Sequence, residues 1–129
     1  RAAARMFMAQ SRLRVPKLHV TLRKAYGFGS SIMAMNPFDG QTLSVAFPGI
    51  SLGGMPAAGG AEAAGLDAEG RRRMQEAQSS GAWSAADTLA YDEIIDPREL
   101  RNVLLAGLQT ALSRRAARAI PVAHTGIWP

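Results

Sequence analysis

The sequence predicts an α/β fold with parallel or mixed strand pairing, and three observations support this prediction. Apolar residues make up 47% of the 129 residues and charged residues 19%, which is typical of a globular chain. Short stretches with alternating apolar and polar residues are separated by stretches with helical spacing. The order is helix, strand, helix, strand, glycine-rich loop, two helices, strand and long helix, and such alternation favours parallel sheets.

The N-terminal part of the chain predicts a helix followed by a strand. Residues 2–13 are rich in strong helix formers, and Pro16 ends this helix. Residues 17–22, KLHVTL, alternate apolar and polar side chains, which predicts a half-buried strand. Its buried side is expected to be formed by Leu18, Val20 and Leu22.

A turn and a second strand follow. Residues 26–31, YGFGSS, predict a turn that leads into a short helix, with Ser30 or Ser31 as the capping residue. Residues 42–47, TLSVAF, predict the second strand. Residues 49–60 contain many glycines together with large apolar side chains, and this composition favours a packed loop over a flexible linker.

The C-terminal part predicts two helices, a short strand and a long helix. Residues 61–80 have mostly helical character, Ser84 is expected to cap a second short helix, and residues 91–95 predict a strand.

Asp96 then starts the long helix, with Pro97 at its first position and Glu99 three residues after the cap. One buried stripe is expected on this helix, formed by Leu100, Val103, Leu104, Leu108 and Leu112. We expect one domain over residues 1–118, a tail over 119–129, and further segments of a longer polypeptide to complete the thin sheet.

Composition narrows the classes of function. The chain has no cysteine, which excludes disulfides, thiolate metal sites and thiol nucleophiles, and fits a cytoplasmic enzyme. No apolar run is long enough for a membrane-spanning helix. The net charge of +5 comes mainly from arginines with no aromatic residues among them, so nucleic-acid binding is not favoured. The arginines at 71–73 are interpreted as a solvated helix face, although arginine also pairs well with phosphates.

The sequence offers few side chains that could form a catalytic site. His19 is expected on a solvent-facing or edge position and His124 lies in the tail, so no metal-ligand spacing is present and no metal is expected. Asp92, Glu93 and Asp96 are close in sequence, but positions beside a strand and at a helix cap account for them.

Backbone chemistry is the remaining option, at residues 26–31. The first amides of a helix have no partner within the helix and carry the positive end of its dipole. The amides of Phe28 and Gly29 are therefore candidates for holding one oxyanion, while glycine at 27 and 29 allows a ligand to approach closely. The alternative is a tight strand–helix turn without a ligand.

Three blocks in this order resemble the carboxyltransferase (beta) subunits of biotin-dependent acyl-CoA carboxylases, near their C-terminus. They are residues 15–33, VPKLHVTLRKAYGFGSSIM; 47–60, FPGISLGGMPAAGG; and 84–108, SAADTLAYDEIIDPRELRNVLLAGL. The resemblance implies part of a crotonase-like fold, built from repeated ββα units, in the second half of the subunit. It also implies a carboxybiotin-dependent transfer of CO2 to the α-carbon of an acyl-CoA.

The resemblance further implies which residues form the site and which partners take part. The amides of Phe28 and Gly29 would form one oxyanion hole, facing either the biotin ureido oxygen or the thioester oxygen. Gly27, Ser30 and Ser31 would contact biotin or the acyl group. Biotin would arrive on a carrier protein with its biotin carboxylase, and the subunits would form a homo-oligomer, expected to be a hexamer.

Several positions depart from the family pattern. Phe28 stands where relatives usually have glycine, so its ring is expected to narrow the biotin pocket. Ser31 replaces an aspartate found in propionyl-preferring relatives, and Leu89 replaces a glycine. The alternative function is therefore a carboxyltransferase-like scaffold subunit without catalysis.

Overall fold

A computed structural model describes residues 1–13, 15–33 and 41–113 of the chain. These residues form six α-helices, five β-strands and one short 3-10 turn. The helices are α1 (Ala2–Ser11), α2 (Gly27–Ile32), α3 (Ala57–Ala63), α4 (Ala68–Ser79), α5 (Gly81–Asp87) and α6 (Leu100–Ser113). The strands are β1 (Leu18–Thr21), β2 (Lys24–Tyr26), β3 (Leu43–Ala46), β4 (Ser51–Gly53) and β5 (Glu93–Ile94).

The strands form two small sheets, and every pairing in them is parallel. One sheet has the order β1-β3-β5 and the other pairs β2 with β4. The chain runs strand, strand, helix in β1-β2-α2 and again in β3-β4-α3. This repetition confirms the expected α/β class and the ββα units of the crotonase-like fold.

The two strands of the smaller sheet were not expected from the sequence. The prediction gave no structure to residues 23–25, began a turn at Tyr26 and placed β4 in a packed loop, so it missed both strands. Each strand has three residues, which is too short for an apolar–polar alternation to be recognised. Their pairing with each other, from Lys24 opposite Ser51 to Tyr26 opposite Gly53, is what makes them strands.

The core lies between the three-stranded sheet and the helices that follow β4. Ala46, Ile50, Ala82 and Tyr91 form one buried cluster, which Phe47 and Leu52 partly cover. Burial of this kind removes apolar area from water and is the main source of stability.

The buried side of β1 differs from the prediction, because Thr21 is 5% exposed and Leu22 is 60% exposed. Leu22 lies after the last residue of β1, where the chain crosses to the smaller sheet.

Residues 61–80 are mostly helical, as predicted, but they belong to two helices, α3 and α4, and not to one. Gly65, with φ +61°, ends α3, and Asp67 caps α4 by accepting a hydrogen bond from the Gly70 amide at 2.7 Å. The next helix, α5, begins at Gly81, so Ser84 lies inside it and does not cap it.

Helices α3 and α5 end with the same hydrogen-bond pattern, the Schellman motif, in which the residue after the helix is left-handed. After α3, the Gly65 amide donates to the Glu62 carbonyl and the Leu66 amide to the Ala61 carbonyl. After α5, the Leu89 amide donates to Ala86 and the Ala90 amide to Ala85. The left-handed residue is Gly65 in the first motif and Leu89, with φ +60°, in the second.

The start of α6 agrees with the prediction, whereas its leucine stripe does not. Asp96 accepts a hydrogen bond from the Arg98 amide at 2.8 Å and caps a 3-10 turn that leads into α6. Leu100 and Leu104 are half-buried, but Leu108 and Leu112 are exposed. A spacing of four residues advances by about 40° around a helix at each step, so such a stripe turns away from the sheet.

The helix was predicted to continue to residue 118, and residues 114–118, His124 and the tail over 119–129 lie outside the described residues. Within the described ranges, none of the helices has both the length and the apolar character that crossing a membrane requires.

Candidate active site

The candidate site lies where β2 passes into α2. Tyr26 is extended, with φ −124° and ψ 138°, and the helix begins directly at Gly27. The predicted cap at Ser30 or Ser31 is therefore wrong, because both residues lie inside the helix. The Ser30 hydroxyl instead donates to the Gly27 carbonyl at 2.8 Å, within the same helix.

Gly27 is required by the backbone itself. Its φ of +60° lies in the left-handed region, which favours glycine. A Cβ added there would lie 2.9 Å from the carbonyl oxygen of Gly54, in the turn that follows β4. The positive φ and the close carbonyl explain why glycine is required at position 27, and neither reason involves a ligand. From the sequence, Gly27 was instead explained by the close approach of a ligand.

The amides of Phe28 and Gly29 are the second and third of α2, so no earlier carbonyl of the helix can accept their hydrogen bonds. Within the described ranges, no backbone carbonyl elsewhere accepts a hydrogen bond from either amide. A Cβ added at Gly29 would meet no atom within 4 Å, so the space beside this residue is open. Two donors are thus available next to a surface that a ligand can approach.

Gly29 and Ser30 line a cleft of about 460 Å³ between β1, β2 and α2. Other residues that line it include His19, Thr21, Tyr26 and Met33. Gly27, Phe28 and Ser31 are not among its lining residues. A larger cleft of about 730 Å³ lies between α6 and the beginnings of β1 and β3, and it contains none of the predicted site residues.

The side chain of Phe28 is exposed and does not line the cleft. The residue as a whole is 60% exposed. Leu89 alone among the described non-glycine residues has a positive φ, so the backbone of Phe28 is not in a region reserved for glycine. Phenylalanine at this position therefore neither strains the turn nor fills the cleft in this chain.

The cleft also contains a histidine that the sequence analysis assigned to a solvent-facing or edge position. His19 Nδ1 lies 3.0 Å from the Ser44 hydroxyl, and its Nε2 lies 3.4 Å from the Thr21 hydroxyl. Thr21 in turn lies 2.9 Å from the hydroxyl of Tyr91, whose ring is stacked against the imidazole with centroids 6.3 Å apart. Burial lowers the pKa of His19, which favours the neutral ring.

Either tautomer of a neutral His19 satisfies this polar network, and the hydrogen bonds run in opposite directions in the two cases. In one, Tyr91 donates to Thr21, Thr21 to His19 Nε2, and His19 Nδ1–H to Ser44; in the other, Ser44 donates to His19 Nδ1, His19 Nε2–H to Thr21, and Thr21 to Tyr91. Burial also raises the pKa of Tyr91, and the hydrogen bond with Thr21 opposes that rise. No local sequence pattern predicts the network, because Ser44 in β3 and Tyr91 just before β5 are far along the chain from His19 and Thr21.

The acidic residues close in sequence have structural roles, as the sequence analysis interpreted them. Asp92 accepts a hydrogen bond from the Ser44 amide at 2.7 Å, across the β3–β5 edge. Asp96 caps the start of the C-terminal helix and pairs with Arg98 at 2.6 Å. The part of the chain that the structure describes contains no cluster of three or more acidic, histidine or cysteine side chains placed to hold a metal ion.

Comparison with known proteins identifies relatives of this fold. No known family profile matches the chain. The methylmalonyl-CoA carboxyltransferase 12S subunit of Propionibacterium freudenreichii subsp. shermanii is 31% identical over 140 residues, which is 100% of this chain and 26% of that subunit. A transcarboxylase 12S crystal structure, described as a hexamer assembly with hydrolysed methylmalonyl-coenzyme A bound, superposes with a TM-score of 0.76. It is 30% identical and covers 95% of this chain and 24% of its own.

Two further structures have the same fold. A single-chain, multi-domain long-chain acyl-CoA carboxylase is 31% identical, with a TM-score of 0.63, and covers 80% of this chain and 11% of its own. The beta subunit of geranyl-CoA carboxylase from P. aeruginosa, at 20% identity and a TM-score of 0.72, supports the fold alone. It covers 94% of this chain and 29% of its own.

The described residues thus form part of an α/β domain with the carboxyltransferase, crotonase-like fold. The chain is related in sequence and structure to the carboxyltransferase subunits of transcarboxylase and acyl-CoA carboxylases, which confirms the resemblance. It spans about a quarter of the length of the 12S subunit that it matches.

Proposed function

We propose that this chain supplies one part of the active site of a biotin-dependent acyl-CoA carboxyltransferase. The reaction transfers CO2 from carboxybiotin to the α-carbon of an acyl-CoA. The observation that carries the proposal is the start of α2, where the amides of Phe28 and Gly29 have no helical partners and Gly29 lines an open cleft. The relationship to a methylmalonyl-CoA carboxyltransferase supports the substrate class.

In this proposal the amides of Phe28 and Gly29 donate hydrogen bonds to one oxygen on which negative charge develops. Donors that are fixed before the reaction need no reorganisation, and they are worth more where water is excluded. The helix holds both nitrogens in place, and the absent side chain of Gly29 leaves room for the reacting group. Ser30 lines the same cleft and would contact the ligand, whereas Ser31 does not line it, so the cleft gives no support to the expected contact of Ser31 with the acyl group.

The residues of the cleft fit a biotin ring system. Its volume of about 460 Å³ lies within the range of small-molecule sites, and its lining combines apolar Val20 and Met33 with the polar Ser30. Biotin on a carrier protein would bring the carboxyl group and supply the base that takes the α-proton. The remaining contacts to the acyl-CoA would come from other parts of a carboxyltransferase, in a homo-oligomer of such subunits.

A pair of glycine substitutions tests this role of Gly29. Gly29 and Gly59 are each the third residue of a helix, and a Cβ at either position meets no atom within 4 Å. Alanine should therefore be tolerated structurally at both positions. We expect Gly29→Ala to lower kcat/KM for carboxybiotin-dependent carboxylation by about 10²-fold, because the methyl group displaces the reacting atoms. Gly59→Ala should leave kcat/KM within about twofold of the parent.

The assay uses the intact subunit with its biotinylated carrier and acetyl-, propionyl- and longer acyl-CoAs. Equal activities of the two alanine variants would remove Gly29 from the site. Absence of turnover with every acyl-CoA, and of reverse transfer from malonyl-CoA, would overturn the proposed function itself.

The substitution Phe28→Gly distinguishes between two hypotheses, that the chain is part of an active enzyme or that it is a scaffold subunit without catalysis. Because the Phe28 ring lies outside the cleft lining, its removal should leave turnover and biotin binding nearly unchanged. Gain of biotin binding only after Phe28→Gly would instead show that the ring blocks a vestigial pocket.

A further inference from the structure

A third cleft, of about 300 Å³, lies against β2 on the side of α3 and α4. We call it the basic cleft, and define it by Lys24, Ser51, Arg71 and Gln75, with Tyr26 and Gln78 in its wall. Lys24 and Tyr26 also line the cleft at Gly29, so strand β2 separates the two. No acidic side chain of the described residues is among those that line the basic cleft.

Arg71 differs from the two arginines that follow it on α4. Arg72 pairs with Glu69 at 2.9 Å and with Glu76 at 2.8 Å, and Arg73 pairs with Glu69 at 2.8 Å. Both arginines are thus committed to acids of their own helix. Within the described ranges Arg71 forms no ion pair, and its side chain faces the basic cleft together with Gln75, one helical turn later.

Gln78 holds the wall of the basic cleft in place. Its Oε1 accepts hydrogen bonds from the Ala57 amide at 2.9 Å and from the Tyr26 hydroxyl at 3.3 Å. Its Nε2 donates to the Met55 carbonyl at 2.8 Å. One side chain therefore ties the start of α3, the end of β2 and the turn before α3 to helix α4, so the cleft has a fixed shape before any ligand binds.

Ser79 in the same lining donates its hydroxyl to the Gln75 carbonyl at 2.9 Å, and four other polar side chains of the basic cleft are uncommitted donors. Among the described residues, no partner for the side chains of Lys24, Ser51, Arg71 or Gln75 is found. Two positive charges in one cleft without an acid repel each other, and an anion would relieve that repulsion. Arginine presents a planar fork of donors that matches phosphate oxygens, and lysine adds a compact positive charge.

We propose that the basic cleft binds a phosphate group, held by Arg71 and Lys24 and contacted by Ser51 and Gln75. Two sources share this chemistry, free inorganic phosphate and a 3′-phosphorylated nucleotide. The second source rests on the proposed function, because the 3′-phosphate belongs to the coenzyme A part of an acyl-CoA. The cleft itself stands on its own geometry, whichever source supplies the group.

Isothermal titration of the intact protein at low ionic strength tests the site, with inorganic phosphate and adenosine 3′,5′-bisphosphate as probes and adenosine as the uncharged comparison. Arg71→Gln and Lys24→Gln should each weaken binding by about tenfold, because each removes a charge-assisted hydrogen bond. Arg72→Gln is the matched control: it removes the same charge one residue away, outside the cleft, and should change the affinity less than about twofold.

The outcomes separate the two sources and the two proposals. Tighter binding of the bisphosphate than of inorganic phosphate identifies the nucleotide as the source, and equal affinities identify free phosphate. Absence of binding of either probe, or equal losses in Arg71→Gln and Arg72→Gln, would overturn the site. Because no carboxyl transfer is measured, failure of the proposed enzymatic activity leaves this result unaffected, and the reverse also holds.

Discussion

Replacing Leu89 with glycine should make the protein more stable, although leucine is the larger apolar residue. Leu89 occupies the left-handed position after α5, with φ +60°, and its residue is 80% exposed. The side chain therefore buries little area that the substitution could remove. The helix end keeps both of its Schellman hydrogen bonds, from Leu89 to Ala86 at 2.8 Å and from Ala90 to Ala85 at 2.9 Å, because backbone groups make them.

The size of the effect follows from two opposing contributions to the free energy of unfolding. A left-handed conformation costs an L-residue about 1–2 kcal/mol, and glycine removes this cost. Glycine also gives the unfolded chain more freedom, which costs about 0.4–1 kcal/mol. The expected net gain for Leu89→Gly is about 1 kcal/mol.

The motif after α3 provides the reverse experiment. Gly65 has φ +61°, and a Cβ there meets no atom within 4 Å, so Gly65→Ala changes only the backbone energy. It should lower the free energy of unfolding by about 1 kcal/mol. Both variants are measured by urea unfolding followed by far-UV circular dichroism. A loss of stability in Leu89→Gly, with Gly65→Ala behaving as expected, would refute the reasoning and show that the Leu89 side chain is itself stabilising.

Two further predictions concern the polar network at the cleft. Thr21→Val should destabilise the fold by about 1–3 kcal/mol, since it leaves the buried Tyr91 hydroxyl without its partner at 2.9 Å. In a double-mutant cycle with Tyr91→Phe the losses should be less than additive, and strict additivity would contradict the hydrogen bond. Burial lowers the pKa of His19 in the folded protein, so as the pH falls the unfolded chain takes up a proton at this histidine before the folded protein does. The contribution of the neutral His19 to the free energy of unfolding is therefore fully present above pH 6.5. It decreases as the pH falls from 6.5 towards the pKa of the folded state. Unfolding curves between pH 8 and pH 5, about the range in which histidine titrates, should show a weaker pH dependence for His19→Gln, and equal slopes would count against this assignment.

The sequence predicted the class of fold better than the details of its sheets. Alternating residues located β1 and β3, and the acid–proline pair at Asp96 located the start of α6. The strands β2 and β4 were not predicted, because each is three residues long and is stabilised by pairing with the other. The leucine stripe of α6 failed for a geometrical reason, since sequence spacing alone does not fix which leucines of a helix face the sheet.

The sequence predicted a strand–helix turn at the candidate site, but not the shape of the cleft beside it. Glycines between a strand and a helix predicted free amides near Phe28 and Gly29, and the structure has a helix that begins there. Local sequence could not give the direction of the Phe28 ring or the arrival of His19 in the same cleft, because neighbours distant along the chain decide both. The oxyanion-binding role of the two amides remains a prediction for the kinetic assay.

The contact between Gly27 and Gly54 links the candidate site to a turn in another part of the chain. Paired strands β2 and β4 end side by side, so the turns that follow them share one narrow space, where a Cβ on Gly27 would lie 2.9 Å from the Gly54 carbonyl. Because of this contact, a change in the backbone of the turn at Gly27 requires a matching change in the turn at Gly54. Among homologues, substitutions at these two turns should therefore co-vary, and a loop graft that exchanges residues 27–33 should succeed only when the segment after β4 is exchanged with it.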